Sequence, residues 1–189
     1  MTPPSWEKRS ERIAFQNPWW TYKIDRFALP DGREGEYHYV HTEGSVMIIA
    51  VDDAGCLLLV EQHRYLNRRG SLEFPGGSVP AGMGVLDAAQ KELSEETGFR
   101  ADDLVPIGRF NPYNGVTDEM CTVFLARGLT ASDATPDDTE DLRLHRVDAR
   151  WVDASIANGD LWDGMTMAAW LLYHAHLNQH PESRVADDA

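Results

Sequence analysis

The sequence predicts an α/β fold in which a mixed sheet lies between helices, with a β-hairpin extension ahead of it. Three observations carry this expectation. Apolar, largely aliphatic runs at residues 46–51 and 57–62 are bounded by turn residues, as core strands are. A helical pattern follows a glycine-rich turn at Gly76-Gly77. Strand-like and helix-like segments then alternate to the end of a 189-residue chain, long enough for a single core.

The elements follow in order. Residues 1–16 read as a polar lead-in, held in part by Trp6 and Phe15. Residues 19–27 and 36–42 read as strands on either side of Pro30-Asp31-Gly32, a hairpin signal. The β-branched run at 46–51 meets the turn Asp52-Asp53-Ala54-Gly55, and the strand at 57–62 follows. A short strand at 72–74 leads into the glycine turn, and a helix is expected over 84–97 with Gly98 as its left-handed C-cap. Strands at 104–110 and 121–126 flank the loop NPYNGVTDE. After Leu129 comes the acidic, proline-containing stretch TASDATPDDTED, a loop long enough to be functional or disordered. Residues 142–147 read as a strand and 148–158 as a short helix. A more apolar helix is expected over 166–177, with Met167, Trp170, Leu171 and His174 at helical spacing. From Pro181 the chain is expected to fray. The expected organisation is a lead-in and hairpin extension (1–43), a main domain (44–180) and a tail (181–189).

Charge narrows the function classes. Asp and Glu number 31 against 17 Lys and Arg, for a net charge of −14. Nucleic-acid binders concentrate Lys and Arg on one face, so a nucleic-acid partner is not expected. Small phosphorylated substrates remain compatible, because a bound metal inverts the local sign. Cys56 and Cys121 sit in the apolar runs CLLLV and CTVFLA and read as buried free thiols. The apolar runs are too short to span a bilayer, and MTPPSWEKRS lacks a hydrophobic signal core. A soluble cytoplasmic protein without a membrane partner is expected.

The stretch GSVPAGMGVLDAAQKELSEETGF, residues 77–99, carries the chemistry. On a helix Glu92, Glu95 and Glu96 stand at i, i+3 and i+4 and share one arc of roughly 100°. Each unpaired like-charge pair of this kind costs a few tenths of a kcal/mol. A divalent cation among the oxygens removes that cost, and hard cations such as Mg²⁺ commonly bridge carboxylates to substrate phosphates. The plain alternative is a solvated acidic face. Against it, Leu86, Ala89 and Leu93 form an apolar arc beside the carboxylates, so the acidic face borders the core. Phe74-Pro75-Gly76-Gly77 upstream also lets the backbone come close to a ligand or metal.

Gly77, five residues, Met83, seven residues and then KELSEETGF resembles the Nudix box, G-x5-E-x7-R-E-U-x-E-E-x-G-U with U a bulky apolar residue. Met83 replaces the box Glu and Lys91 the box Arg; everything from Glu92 to Phe99 fits. In that family the box Glu and Arg tend to pair and tie loop to helix. Met83 and Lys91 cannot make that pair, and altered rigidity or rate is the expected consequence. The resemblance implies an α/β/α sandwich and Mg²⁺ or Mn²⁺ held by Glu92, Glu95, Glu96 and the Gly77 carbonyl, with Glu95 and Glu96 catalytic.

Other segments are similar to the Nudix subgroup that splits ADP-ribose and nucleoside diphosphate sugars. VEQHRY resembles its V-x-Q-x-R run, which implies that the forked guanidinium of Arg64 contacts substrate; otherwise Arg64 is a surface arginine. Glu73 in LEFPGG is similar to a Glu that touches substrate or metal, and is structural on the other reading. The loop at 111–119 resembles S-P-G-x-x-D-E: Gly115, Asp118 and Glu119 agree, and Asn114 stands where the proline would be. That difference leaves room for nucleotide sugars other than ADP-ribose, although Asn-Gly is also simply a strong turn. NPWWTYKID and LPDGREGEYHYV are similar to an N-terminal extension that makes contacts across a dimer and stacks an aromatic on the base. Trp19, Trp20 and Tyr22 therefore stand between packing, a dimer interface and base stacking, with Trp20 the stacking candidate. DDTEDLRLHRV looks like the late loop that supplies a catalytic base, which points to Asp138 or Glu140; solvated charge is the other reading. No histidine is assigned to metal.

The resemblance thus implies a homodimeric enzyme that hydrolyses the pyrophosphate bond of ADP-ribose or a related nucleoside diphosphate sugar. The products would be a nucleoside monophosphate and a sugar phosphate. The competing expectation is a nucleotide-sugar-binding Nudix protein in which Met83 and Lys91 have spoiled turnover. A nucleoside triphosphate substrate is disfavoured by the hairpin extension and by VEQHRY.

Overall fold

A computed structural model describes residues 5–133 and 141–181. The chain divides into two compact units, one formed by the residues up to Glu43 with Asn111–Met120, the other by Gly44–Phe110 and the residues from Cys121 onward. The first unit is an antiparallel sheet of β1 (Glu7–Gln16), β2 (Thr21–Ala28) and β3 (Glu34–His41), in that order. The β2–β3 hairpin matches the expected turn. β1 corrects the expected lead-in: it is a ten-residue strand, exposed throughout. Charged residues on both of its faces hide the two-residue period, so no apolar alternation marks it. Its ladder to β2 carries it, and ion pairs from Lys8 to Glu11 (2.6 Å) and Asp25 (2.8 Å) sit along that ladder. Trp6 stacks on Phe27 with ring centroids 4.5 Å apart.

In the second unit the strands are β4 (Ser45–Val51), β5 (Leu57–Arg64), β6 (Arg69–Glu73), β7 (Gly76–Ser78), β8 (Phe99–Phe110), β9 (Cys121–Ala131) and β10 (Arg143–Val147). The helices are α1 (Val85–Thr97), α2 (Ala149–Asn158) and α3 (Gly164–Gln179). The sheet runs β10-β5-β4-β9-β8, with β6 on β5 and β7 on β4. β4 and β9 are parallel and the other pairs antiparallel, so the sheet is mixed as expected. β8 begins at Phe99, earlier than its polar start FRADD suggests, because the Gly98 cap turns the chain straight into the ladder with β9.

Every residue of β4 is buried, since the sheet is covered on both faces. Val46, Ile48 and Ala50 pack with Leu58, Phe124 and Ala126 against Ala88, Ala89 and Leu93 of α1. Met47, Ile49 and Val51 pack with Leu59, Val123 and Leu125 against Val152 of α2 and Ala169, Trp170 and Tyr173 of α3. This is an α/β/α sandwich. Three side chains depart from the expected arcs. Leu86 is 51% exposed, because α1 seats on its alanines and turns its buried face toward Ala88, Leu93 and Thr97. Met167 and Leu171 are also exposed, the buried stripe of α3 running through Thr166, Ala169, Trp170 and Tyr173. Cys121 is buried as expected; Cys56 is only half-buried, in the turn where its N–H donates to Asp52, and both are free thiols. Among the described residues no helix is long and apolar enough to cross a membrane.

Candidate active site

The glycine turn is held from two sides. Pro75 O accepts from Ile48 N–H at 2.8 Å, and β7 pairs with β4 through Val46↔Gly77. α1 comes in close on Ala88 and Ala89, which are fully buried, as is Leu93. Its carboxylates therefore meet backbone. Gly76 N–H donates to Glu96 Oε2 at 2.9 Å, and Glu96 is 9% exposed. A Cβ on Gly77 would lie 2.6 Å from the Glu92 carboxylate, so glycine is required for that approach. The helix ends as expected at Gly98, φ 73°, whose N–H donates to Ser94 O.

Glu95 is met differently. Lys91 Nζ hydrogen-bonds Glu95 Oε2 and lies 3.7 Å from Glu92 Oε1. The hydrogen bond to Glu95 raises the Lys91 pKa above the usual lysine range, with burial opposing and Glu92 assisting. The last turn of α1 contains no basic residue, and Glu95 and Glu96 stand there at the negative end of the helix dipole. Among the described residues no three His, Cys, Asp or Glu side chains are drawn into ready metal geometry. The donor set still fits a hard divalent cation. It offers carboxylate oxygens on one arc, a backbone cradle that a Cβ would fill, and charge that the helix end does not neutralise.

Arg64 ends β5, and the β5–β6 register puts it on the same face as Glu73. The guanidinium folds back along the hairpin and grips Glu73 with two bonds, Nε to Oε1 at 2.7 Å and Nη2 to Oε2. Glu73 is 3% exposed, whereas the Arg64 side chain is nearly half exposed. The Glu73 hydrogen bond raises the Arg64 pKa against burial, with Glu73, Asp163 and Glu96 adding charge. The next residue, Phe74, donates its N–H to the buried Thr166 Oγ1 at 3.3 Å. Asp163 caps α3 by accepting from Thr166 N at 2.7 Å. The sequence signal for this anchor is D-x-x-T ahead of an apolar run, a helix start.

The other candidates fall elsewhere. Trp20, in the first unit, is 38% exposed with its ring 5.5 Å from Phe15. Asn114 sits in a turn closed by Val116 N–H to Tyr113 O at 2.9 Å, and Asp118 of the same loop pairs with His41 Nδ1 at 2.7 Å. Asp138 and Glu140 lie outside the described residues.

Known proteins match this fold and motif. The NUDIX domain model matches residues 41–168. The chain is 30% identical to the ADP-ribose pyrophosphatase of Bacillus subtilis (strain 168), over 77% of this chain and 80% of the relative. It is 26% identical to the CMP-5'-(N-acetyl-N-hydroxy-3-aminopropyl)phosphonate hydrolase of Streptomyces rubellomurinus (strain ATCC 31215), over 87% of this chain and 77% of the relative. A solved structure described as an ADP compounds hydrolase superposes with TM-score 0.83 over 98% of this chain and all of its own, at 20% identity, which supports the fold. Family model, identity and glutamate helix agree: the chain belongs to the NUDIX family and is a Nudix hydrolase related to the ADP-ribose pyrophosphatases.

Proposed function

We propose that this protein hydrolyses the pyrophosphate bond of ADP-ribose or a related nucleoside diphosphate sugar in a Mg²⁺- or Mn²⁺-dependent reaction, releasing a nucleoside monophosphate and a sugar phosphate. The observation that carries this reading is the seating of the acidic helix on the glycine turn, with Glu92 against Gly77 and Glu96 on the Gly76 N–H. Glu92, Glu95, Glu96 and the Gly77 carbonyl would hold the ion. When bound, it supplies charge neutralisation to the diphosphate and lowers the pKa of an attacking water.

The chain's own groups do the rest. Gly76 N–H holds the Glu96 carboxylate in place by donating to its Oε2. Glu73 consumes the Nε and Nη2 corners of Arg64, which points to Glu73 as a positioning residue and leaves the Nη1 corner to contact a phosphoryl oxygen. Asp138 or Glu140 would take the proton of the water. Trp20 and the Asn114 turn are the candidates for recognition of base and sugar. The names of the two relatives, one acting on ADP-ribose and the other on a CMP-linked phosphonate, support a nucleotide substrate and leave its distal group open.

The proposed setting is cytoplasmic, and the proposed state is a homodimer built through the N-terminal extension. Exposed Trp6, Ile13, Phe15 and Trp19 in that unit favour such an interface, and sedimentation of a monomer at micromolar concentration would exclude it. A panel of ADP-ribose, UDP- and GDP-sugars and dinucleoside polyphosphates, with and without Mg²⁺, tests the activity. Metal-dependent release of a nucleoside monophosphate from at least one diphosphate sugar is expected. Binding of ADP-ribose without turnover of any compound would make the protein a nucleotide-sugar binder instead.

A further inference from the structure

The Lys91–Glu95 contact has a chemical meaning beyond helix support. One ammonium serves two of the three carboxylates, bonding Glu95 and standing 3.7 Å from Glu92. Lys91 and Glu95 together line a polar groove beside α1 with Gln90, Ser94 and Arg100. Glu96, by contrast, is fixed on the Gly76 N–H, and Glu92 lies against Gly77. The trio is therefore divided: two carboxylates face the glycine turn, and the third is drawn along the helix by a cation from its own sequence. With no basic residue in the last turn, Lys91 supplies the positive charge that Glu95 meets there.

We propose that Lys91 is a resident counter-ion of the glutamate trio, and that a divalent ion binds by exchanging with it on Glu95. The proposal rests on the reading of the trio as the metal site. Its Coulombic logic is direct, because an ammonium and a divalent ion cannot share the same carboxylate oxygens without repelling each other. The exchange is feasible, since the Lys91 side chain is 42% exposed and a surface ion pair of this kind is weak enough to open. Lys91 thus sets the metal affinity of the site, and removal of its charge strengthens binding.

The test is Mn²⁺ binding to the full chain without nucleotide, read from the free-Mn²⁺ electron paramagnetic resonance signal. Lys91→Met should bind Mn²⁺ about 5- to 20-fold more tightly than the wild type, and Lys91→Arg should stay within about twofold of it. Lys91→Gln gives a second reading of the lost charge should the methionine variant fold poorly. Arg100→Gln removes a different cation from the same groove and should change affinity less than about twofold. If it tightens binding as much as Lys91→Met does, the effect is general charge and the counter-ion role is overturned. Unchanged affinity in Lys91→Met, with Glu95→Gln still weakening Mn²⁺ binding, also overturns the role while sparing the metal site. Mn²⁺ affinity indifferent to both Glu92→Gln and Glu95→Gln would remove the metal site itself.

Discussion

On one face of the central sheet α1 is seated by Ala88, Ala89 and Leu93; on the other α3 is seated by Ala169, Trp170 and Tyr173, with Phe74 stacked on Trp170 at 6.0 Å. The contact residues set the distance at which a helix stands from what it packs on. Small residues bring the α1 backbone close enough for Glu92 and Glu96 to reach the glycine turn. Aromatic residues fill volume on the α3 face and bury more apolar surface per contact. The two faces thus divide the labour: one positions charge against backbone, the other supplies stability. The first turn of α3 also reaches the site side, where Thr166 Oγ1 accepts from Phe74 N–H.

The largest effect that separates the two faces is expected from Trp170→Ala. Trp170 is 4% exposed, stands 5.3 Å from the Tyr173 ring and donates Nε1 to Asp153 at 2.7 Å. Its truncation should cost about 3–5 kcal/mol in urea unfolding. Mn²⁺ affinity of the folded protein should be unchanged; a loss of affinity matching the loss of stability would mean that the faces are coupled. A smaller effect of opposite character is expected from Gly77→Ala. The new Cβ would strike the far end of the Glu92 side chain, which can swing away, so stability should fall by no more than about 1 kcal/mol. Mn²⁺ binding should weaken about tenfold, because the displaced carboxylate leaves its place in the trio. Unaltered Mn²⁺ binding in this variant would show that the Glu92 approach is incidental.

Legibility in the sequence followed the same division. β4, β5, α1 and the Gly98 cap were readable because hydrophobic period and glycine punctuation agree there. The trio was readable from spacing alone, since i, i+3 and i+4 fix a common arc wherever the helix lies. The centre of the buried arc was not: Leu86 carries a strong apolar signal and is exposed, while Ala88 carries a weak one and is fully buried. β1 escaped because its pairing is satisfied by backbone and its side chains are all in solvent. The Arg64–Glu73 grip depends on the β5–β6 register, and register is not written in composition. Lys91 departs from the box, and its i, i+4 spacing to Glu95 makes the pair legible in the sequence.

Glu92, Glu95 and Glu96 are proposed to form one metal-dependent centre for cleavage of a pyrophosphate bond. Its most direct test is Mg²⁺-dependent hydrolysis by the double variant Glu95→Gln/Glu96→Gln, with the substrate that responds in the panel. Glutamine keeps an acceptor for the Gly76 N–H, so the fold should survive with a cooperative thermal transition. Turnover should fall by about 10³-fold or more while that transition persists. Mg²⁺-dependent turnover at the wild-type rate in the folded double variant would show that Glu95 and Glu96 do not belong to such a centre.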